Sequence, residues 1–331
     1  MAWAMLGPPV AVTNSVKGLA RRSKPAWMAR NLLHYPALRQ NAHLHRRYGI
    51  RRPVVGPISH RHIRQPAGEV PWLDRADAKE ALAAHPKLSS FPESTQKSLF
   101  GWIDDGFMIL PKFFEDAAVD EINSSLDGLI ERGEANTSLR DSRRIMNPFL
   151  KSSEVSRALN DPELLRLLGF TLGRDVRLFQ GMHFFVGSQQ DAHSDFFHMS
   201  TEPMGFLIVI WVALEDVSTG SGPVYYYPGS HRLPYLMSEG LEARSGPLFI
   251  AEEKDREYTR RLAAAVEEAG IDPVEFLAHK GDVLVWHANL VHGGHPIEQP
   301  GATRRSLVAH YFARDVLCYH EVTERPALFP V

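Results

Sequence analysis

Three residues with metal-ligating side chains indicate the chemistry that this chain could perform. His193 and Asp195 lie two positions apart, and His292 follows about a hundred residues later. Two imidazoles and one carboxylate form the facial set with which proteins bind Fe(II) while leaving coordination positions open. A closed structural zinc site would more often use several cysteines, and this chain has one, Cys318. The pattern therefore favours an open iron site.

The spacing of the first two candidates predicts that their side chains share one side of a strand. Residues i and i+2 of a β-strand face the same way, roughly 6–7 Å apart along the strand. His193 and Asp195 would then approach one ion while Ser194 faces away. Aromatic residues precede and follow the motif, among them Phe184 and Phe196, so we expect it to border a buried site.

The third ligand is expected in the segment 281–295, which contains three histidines. A Gly-Asp turn leads into an apolar strand that breaks at 288–289. His287 falls within the apolar run and is interpreted as structural, and His295 precedes a proline and is interpreted as a loop residue. We favour His292 and keep the other two as alternatives.

A strand predicted over 303–312 would bring a cation to the same cavity. Arg304, Ser306 and His310 share a parity, so their side chains would lie on one face. A planar guanidinium can bind a carboxylate through two hydrogen bonds, which lysine cannot do. Arg304 is therefore the candidate for an acidic co-substrate, with Ser306 beside it, whereas Arg305 is interpreted as solvated.

From about residue 101 to residue 312, the chain resembles the phytanoyl-CoA dioxygenase (PhyH-like) family of Fe(II)/2-oxoglutarate-dependent oxygenases. The resemblance includes the opening segment 106–114, the His193-Ser194-Asp195 motif and the Pro-Gly-Ser-His turn at 228–231. It implies a mainly β fold with helical decoration around a double-stranded β-helix, a jelly roll similar to the cupins. It also implies that His193, Asp195 and His292 bind Fe(II) and that Arg304 binds the distal carboxylate of 2-oxoglutarate.

Two further residues are assigned to the cofactor pocket. Trp211, in a strand predicted over 206–214, matches a family position near the co-substrate. Gln180 lies in a strand predicted over 176–186 and is expected to face the cavity, as is His183. For Gln180 and His183, the alternative is a role in the core. Gly294 stands where a hydroxyl-bearing residue can assist co-substrate binding, which is a departure from the family pattern.

The activity implied by the resemblance is that of a dioxygenase. It would use O2 and 2-oxoglutarate to hydroxylate an unactivated C–H bond of a small-molecule, glycolipid or lipid-linked substrate, and it would release succinate and CO2. Because Asp195 supplies a carboxylate ligand, halogenation is not expected. The alternatives are a non-catalytic jelly-roll binding protein, and desaturation or epoxidation at the same iron centre.

Charge divides the chain into a basic extension and an acidic remainder. Residues 1–68 contain twelve Lys or Arg and no Asp or Glu, which leaves 25 basic and 39 acidic residues in 69–331. The basic extension is expected either to dock on the acidic remainder or to contact an anionic membrane surface through residues 17–64. No nucleic-acid module accompanies the charge, so no nucleic-acid partner is expected. The sequence gives no oligomeric state.

The expected organisation beyond residue 68 has three parts. A linker with a helix at 74–84 spans 69–100, an oxygenase domain spans 101–320 with an insertion at 233–280, and a tail follows at 321–331. Helices are also predicted over 25–48 with a break at Pro36, over 116–132, after Asp161 and over 252–269. The insertion, with the basic extension, is hypothesised to shape the substrate pocket. A single cysteine and the lack of a signal-like start predict a cytoplasmic location, with peripheral membrane contact as the alternative.

Overall fold

The computed structural model describes residues 23–135, 144–241, 246, 248–249 and 254–329. Within these ranges the helices are α1 (Lys24–Leu33), α2 (Tyr35–Leu38), α3 (Ala42–Arg47), α4 (Ala78–Ala83), α5 (Glu93–Asp105), α6 (Asp116–Glu131), α7 (Ser153–Leu159), α8 (Pro162–Leu172) and α9 (Lys254–Glu268). The strands are β1 (Phe107–Leu110), β2 (Arg144–Met146), β3 (Val176–Phe184), β4 (Ser200–Glu202), β5 (Leu207–Ala213), β6 (Val224–Tyr226), β7 (Val274–Phe276), β8 (Val283–His287), β9 (His292–Gly294), β10 (Ser306–Ala313), β11 (Leu317–His320) and β12 (Arg325–Pro326).

The described chain contains a six-stranded antiparallel sheet, in the order β1-β8-β5-β10-β3-β2. Every residue of β5, β8 and β10 is buried. Continuous apolar runs of this kind belong to central strands that are covered on both faces. Helices cover one face, and the other face lines the interior of the jelly roll.

Two three-stranded sheets complete the structure, in the orders β7-β6-β9 and β12-β11-β4. An isolated bridge between His193 and His292 adds a further pairing beside β9. Long-range antiparallel pairing of this kind is the architecture predicted for a jelly roll with helical decoration, and the prediction is confirmed. The insertion 233–280 contributes β7 to the small sheet, and α5 runs across the limit predicted at residue 101.

Local signals located most of the helices. The side chain of Asp161 accepts hydrogen bonds from the backbone N–H groups of Glu163 and Leu164, so it caps α8 as predicted. The helix predicted over 116–132 is α6, and the one predicted over 252–269 is α9. The strand predicted over 106–114 is shorter, because β1 ends at Leu110.

The described part of the basic extension lies against the rest of the chain. It forms three short helices rather than one helix with a single break, since the chain turns at His34 before Pro36 and again after Leu38. The ammonium of Lys24 contacts the Glu324 carboxylate at 2.8 Å, and both side chains are buried. Residues 17–22 lie outside the described residues, as does the start of the chain. No helix in the described ranges is long and apolar enough to cross a bilayer.

A candidate metal centre and its cavity

The three candidate ligands meet at one point although two come from a segment far from the third. His193, Asp195 and His292 each offer a ligand atom, and these atoms lie within 4.8 Å of one another. His193 Nε2 is 3.9 Å from Asp195 Oδ1, and His292 Nε2 is 3.7 Å from Asp195 Oδ2. Two imidazoles and one carboxylate at these separations could hold a divalent ion with positions left open.

The backbone that carries the first two ligands is not the predicted strand. Only His193 pairs in extended form, through mutual backbone hydrogen bonds of 2.9 Å with His292. Asp195 begins a short 3-10 turn that ends at Phe197. The strand prediction was therefore wrong for the motif, because the chain turns immediately after Ser194. The predicted outcome for Ser194 is confirmed, since it faces away from the ligands and contacts Tyr258.

Hydrogen bonds set the histidines in the tautomer that a metal ion requires. The Nδ1 atoms of His193 and His292 lie 2.9 and 3.0 Å from the backbone carbonyls of Asp191 and Leu290. Each Nδ1 must carry the proton to donate to a carbonyl, which leaves Nε2 with a free lone pair. Burial and the neighbouring His292 lower the pKa of His193 to about 3, so its imidazole is neutral at physiological pH.

The carboxylate of Asp195 is held by residues that the sequence analysis did not assign. Trp286 donates its indole N–H to Asp195 Oδ2 at 2.9 Å. His310 Nε2 lies 3.7 Å from Asp195 Oδ1. Burial alone would raise the pKa of Asp195, but its histidine neighbours His292, His310 and His193 lower it well below its usual range. The carboxylate is therefore ionised and oriented. The sequence signal that could have identified His310 is that it shares a parity with Arg304 on the strand predicted over 303–312.

Arg304 is a buried cation with little to neutralise it. Its side chain is 2% exposed. Within the described residues its one hydrogen bond is from Nη1 to Ser306 Oγ at 3.4 Å, Nε has no partner, and no carboxylate lies within salt-bridge distance. Burial lowers the pKa of Arg304 only to about 10, so it stays charged at neutral pH. A buried guanidinium of this kind needs an anionic partner.

The ligands and Arg304 open into one cavity of about 620 Å³. Strand register brings its inner wall together: Met182 pairs with Val308, which pairs with Trp211. All three line the cavity, and the Arg304 guanidinium lies 5.4 Å from the Trp211 ring centroid.

Gln180, the second residue assigned to the cofactor pocket, lies two positions from Met182 on β3. Gln180 pairs with His310, and both line the cavity together with Trp286. Gln180 therefore faces the cavity as expected. His183 does not: it is fully buried in the core and its Nδ1 lies 3.0 Å from the backbone oxygen of Ser306. Ser306 is also buried and does not line the cavity, and its hydroxyl lies 3.4 Å from Arg304 Nη1.

The two alternative histidines are directed elsewhere. His287 Nε2 lies 3.1 Å from the carboxylate of Asp74, outside the cavity. His295 is 40% exposed and lies 3.8 Å from Glu275. Of the three histidines in 281–295, His292 alone joins the metal-ligating group.

Elements outside the jelly roll approach the site in an unexpected way. No described residue of 233–280 lines the cavity, whereas Arg30 of α1 and the segment 325–328 do. The insertion acts from behind: the hydroxyl of Tyr258, on α9, lies 3.1 Å from the Ser194 backbone nitrogen and 2.8 Å from Ser194 Oγ. Of the two segments hypothesised to shape the substrate pocket, the basic extension lines this cavity and the described part of the insertion does not.

Comparison with known proteins gives one family. The model of the phytanoyl-CoA dioxygenase (PhyH) family matches residues 102–306. Phytanoyl-CoA dioxygenase domain-containing protein 1 of Danio rerio is 30% identical over 106 residues, which covers 28% of this chain and 34% of that protein. The match therefore spans about a third of the length of this curated relative.

Solved structures show the same fold at low identity. The non-heme alpha ketoglutarate dependent carbocyclase SnoK has a TM-score of 0.58 and 16% identity, covering 74% of this chain and 95% of its own. The epimerase SnoN in complex with Fe3+, alpha ketoglutarate and nogalamycin RO has a TM-score of 0.52 and 21% identity, covering 69% and 86%. These similarities establish a shared jelly-roll fold.

Proposed function

This chain belongs to the phytanoyl-CoA dioxygenase family, a family of Fe(II)/2-oxoglutarate-dependent oxygenases, and from that premise we propose that it hydroxylates an unactivated C–H bond of a small-molecule substrate. The observation that carries the proposal is the convergence of His193, Asp195 and His292 on one cavity that also contains the buried cation of Arg304. The reaction would convert substrate, O2 and 2-oxoglutarate into hydroxylated substrate, succinate and CO2.

The residues present fit both an iron ion and its co-substrate. Neutral imidazoles and an ionised carboxylate are the forms that ligate Fe(II). The guanidinium of Arg304, beside the hydroxyl of Ser306, would bind the distal carboxylate of 2-oxoglutarate, and Trp211 and Gln180 would border it. When bound, the ion and co-substrate supply the oxidising chemistry, while the protein orients them and excludes water.

The first test is binding of Fe(II) and 2-oxoglutarate without oxygen, followed by succinate detection after O2 is admitted. Wild-type protein is expected to show a metal-to-ligand charge-transfer band and slow succinate release, and His292→Ala is expected to lose both. His295→Ala is the matched control, because His295 is half-exposed and outside the metal-ligating group. Folded, iron-loaded wild type without band or succinate would contradict the proposal and favour the non-catalytic binding protein.

The outcome of oxidation is a separate question. Proteins with the same fold are described as a carbocyclase and an epimerase, so the fold does not restrict the centre to hydroxylation. Product mass separates desaturation, which removes two hydrogens, from the two reactions that add one oxygen atom. Loss of the double bond then distinguishes epoxidation of an alkene from hydroxylation.

We also propose peripheral contact between the basic extension and an anionic membrane surface, which would suit a lipid-linked or glycolipid substrate. What supports it is the lack of acidic residues in 1–68, together with exposed Leu32 and Leu33 at the end of α1 and exposed Tyr35 at the start of α2. Co-sedimentation with phosphatidylglycerol vesicles, and much less with phosphatidylcholine vesicles, is expected. Equal sedimentation with both kinds of vesicle, or sedimentation with neither, would contradict the proposed membrane contact.

A further inference from the structure

The helix α1 buries one face and exposes apolar side chains on another. The buried face consists of Lys24, Trp27 and Asn31. Outside it, Leu32 is 61% and Leu33 81% exposed. Large apolar side chains that are grouped at a surface, rather than scattered singly, mark a site of interaction with another molecule or a membrane. The outer face of α1 therefore indicates an interaction surface.

Exposed apolar side chains also lie at both ends of α1. Tyr35, at the start of α2, follows its C-terminal end. At its N-terminal end, the backbone N–H of Lys24 donates to the Leu248 carbonyl at 2.8 Å, and Ser23 forms a bridge with Phe249. Both insertion residues are exposed. Because a helix of ten residues is about 15 Å long, two distant segments place apolar groups in one region, which we call the α1 surface.

The α1 surface borders an opening of the cavity. Among the described residues that line the cavity, Arg30 and Gln190 are the exposed ones, so the cavity reaches the surface of the molecule beside them. Arg30 lies three residues before Leu33 on α1, and residues at this spacing share a helix face. The most exposed large apolar side chain of the described residues is therefore next to the cavity opening.

The opening beside α1 lies on the side of the metal centre that faces away from Arg304. His310 Nε2 is 3.7 Å from Asp195 Oδ1, so His310 marks the position of the centre along β10. Arg304 precedes His310 in the chain and Phe312 follows it. The Phe312 ring packs against Phe329 of the C-terminal segment, with centroids 5.9 Å apart. Since 2-oxoglutarate would occupy the Arg304 side, the Phe312 side is left for the prime substrate.

The C-terminal segment connects the Phe312 side to α1, because the Arg325 guanidinium lies 5.8 Å from the centroid of the Trp27 ring. Polar side chains on this side include His198 and His320. The apolar lining of this side is formed by Phe179, Phe312, Pro326, Ala327 and Leu328. An apolar lining that begins beside an exposed apolar surface suits a substrate with an apolar part.

Cations accompany the exposed apolar side chains of the extension. Residues 23–68 contain nine Lys or Arg and no Asp or Glu. Lys24 and Arg61 pair with the buried Glu324, and the others are exposed, among them Arg30 on α1 and Arg39 directly after α2. Exposed cations are attracted to anionic lipid headgroups, and exposed apolar side chains enter the boundary between headgroups and acyl chains. The α1 surface therefore fits an anionic bilayer in both charge and polarity.

We propose that the cavity opens within the membrane-contacting surface of the protein, and that the prime substrate is an amphiphile that enters from an anionic bilayer. Its apolar part would pass Arg30 and lie against Phe179, Phe312 and Leu328. This substrate class rests on the proposed function and on the proposed membrane contact. It adds to them the place where the cavity opens and the kind of molecule that this opening admits.

The first test follows single labelled positions of the full-length protein on vesicles, without added metal. The one cysteine, Cys318, is buried, so Leu33→Cys and Arg30→Cys can be labelled selectively with nitrobenzoxadiazole. Ile130→Cys is the matched control, because Ile130 is an exposed apolar residue of α6 and does not line the cavity. With phosphatidylglycerol vesicles that contain doxyl-labelled lipid, the labels at 33 and 30 should shift to shorter wavelength and lose most of their emission. The label at 130 should do neither.

The second test concerns entry of apolar molecules. N-Phenyl-1-naphthylamine, a neutral apolar fluorophore, is titrated into the full-length protein. Ala327→Trp places a large side chain in the outer cavity and is expected to weaken binding of the fluorophore by about tenfold or more. Ala83→Trp is the matched control, because Ala83 is exposed on α4 and does not line the cavity. It should bind the fluorophore as wild type does.

Three results would overturn the proposal. If labels at 30, 33 and 130 gave the same emission on vesicle-bound protein, the bilayer would contact another part of the chain. If Ala327→Trp bound the fluorophore as tightly as wild type, apolar molecules would not enter by this opening. Protein that bound no vesicles would refute the membrane contact and this route of entry with it. The test with Fe(II) and 2-oxoglutarate is independent of all three, so failure of the oxygenase activity is a separate result.

Discussion

At the scale of single residues, the site depends on buried side chains that remain charged. Asp195 is surrounded by imidazoles and a donated indole N–H, so it stays ionised in a place where an isolated carboxyl would be neutral. Arg304 is the opposite case, a cation held in the interior, and no carboxylate of the described residues lies within salt-bridge distance of it. Both states are costly unless a ligand completes them. The free protein therefore holds a site organised to accept a metal ion and an anion.

Replacing Arg304 should weaken the co-substrate rather than the metal. Arg304→Gln removes the charge that the distal carboxylate of 2-oxoglutarate would contact, and we expect its apparent affinity to fall by about a hundredfold, from the loss of a buried charge-assisted pair. Fe(II) affinity should change little. Titration of 2-oxoglutarate into the anaerobic iron-loaded protein measures both.

The neighbouring arginine provides the control for that experiment. Arg305 forms a bidentate ion pair with Asp127, with hydrogen bonds of 2.8 and 3.1 Å, on the outside of the domain. Arg305→Gln should leave 2-oxoglutarate affinity unchanged. If the two variants behaved alike, or if Arg304→Gln bound 2-oxoglutarate normally, Arg304 would not be the co-substrate residue.

At the scale of elements, the insertion supports the metal-ligating motif from behind. The buried Tyr258 of α9 stacks on Phe197, with ring centroids 3.7 Å apart, and its hydroxyl contacts Ser194 between the two ligands. The motif is not a strand, so no sheet ladder satisfies the Ser194 N–H. A tyrosine from a distant segment does so instead, which couples the position of α9 to that of His193 and Asp195.

Tyr258→Phe should reduce metal affinity while it preserves the fold. It keeps the ring stack and removes the hydroxyl, leaving the buried Ser194 N–H unsatisfied at a cost of about 1–3 kcal/mol. We expect Fe(II) affinity to fall about tenfold, as is typical when support behind metal ligands is lost. Metal titration and thermal unfolding of the variant and wild type give the two quantities.

Tyr311→Phe is the matched control for this variant. Tyr311 is fully buried and donates its hydroxyl to the backbone oxygen of Leu159 at 2.8 Å, away from the cavity. It should lose similar stability with unchanged metal affinity. Equal metal affinity in Tyr258→Phe and wild type would show that α9 stabilises the domain without positioning the ligands.

At the scale of the whole molecule, acidic residues near the C-terminal end hold the basic extension in place. Glu324 accepts from Lys24 at 2.8 Å and from Arg61 at 2.9 Å, and Glu321 accepts the backbone N–H of His60 at 2.8 Å. Lys24 and Glu324 are both buried. The docking of the extension on the acidic remainder, expected from the charge division, is seen for residues 23–68, and this docking also presents Arg30 to the cavity.

Glu324→Gln should therefore release the extension. It leaves the Lys24 ammonium buried without a counter-charge, which costs about 3–5 kcal/mol when a buried pair is broken. We expect a lower melting temperature and rapid tryptic cleavage at basic residues before residue 65. The control is Glu69→Gln, since Glu69 pairs with Arg174 nearer the surface and such pairs contribute about 0–1 kcal/mol. Unchanged cleavage in Glu324→Gln would show that apolar packing alone holds the extension.

The sequence by itself determined which residues could do chemistry and which faces they would share. The ligand types of His193, Asp195 and His292 were readable from the chain. So was the common parity of Arg304 and His310, because side-chain alternation along a strand is a local property. Helix caps and apolar periodicity located most helices for the same reason. The family resemblance supplied the jelly roll.

Only the tertiary structure decided how distant segments meet. The turn after Ser194, the indole of Trp286 on Asp195, the support from Tyr258 and the approach of Arg30 all join residues that no local pattern relates. Such contacts depend on the paths of the intervening loops and on which buried groups find partners there, and these are properties of the folded chain as a whole. The sequence thus specified the chemistry of the centre, and the fold decided what surrounds it.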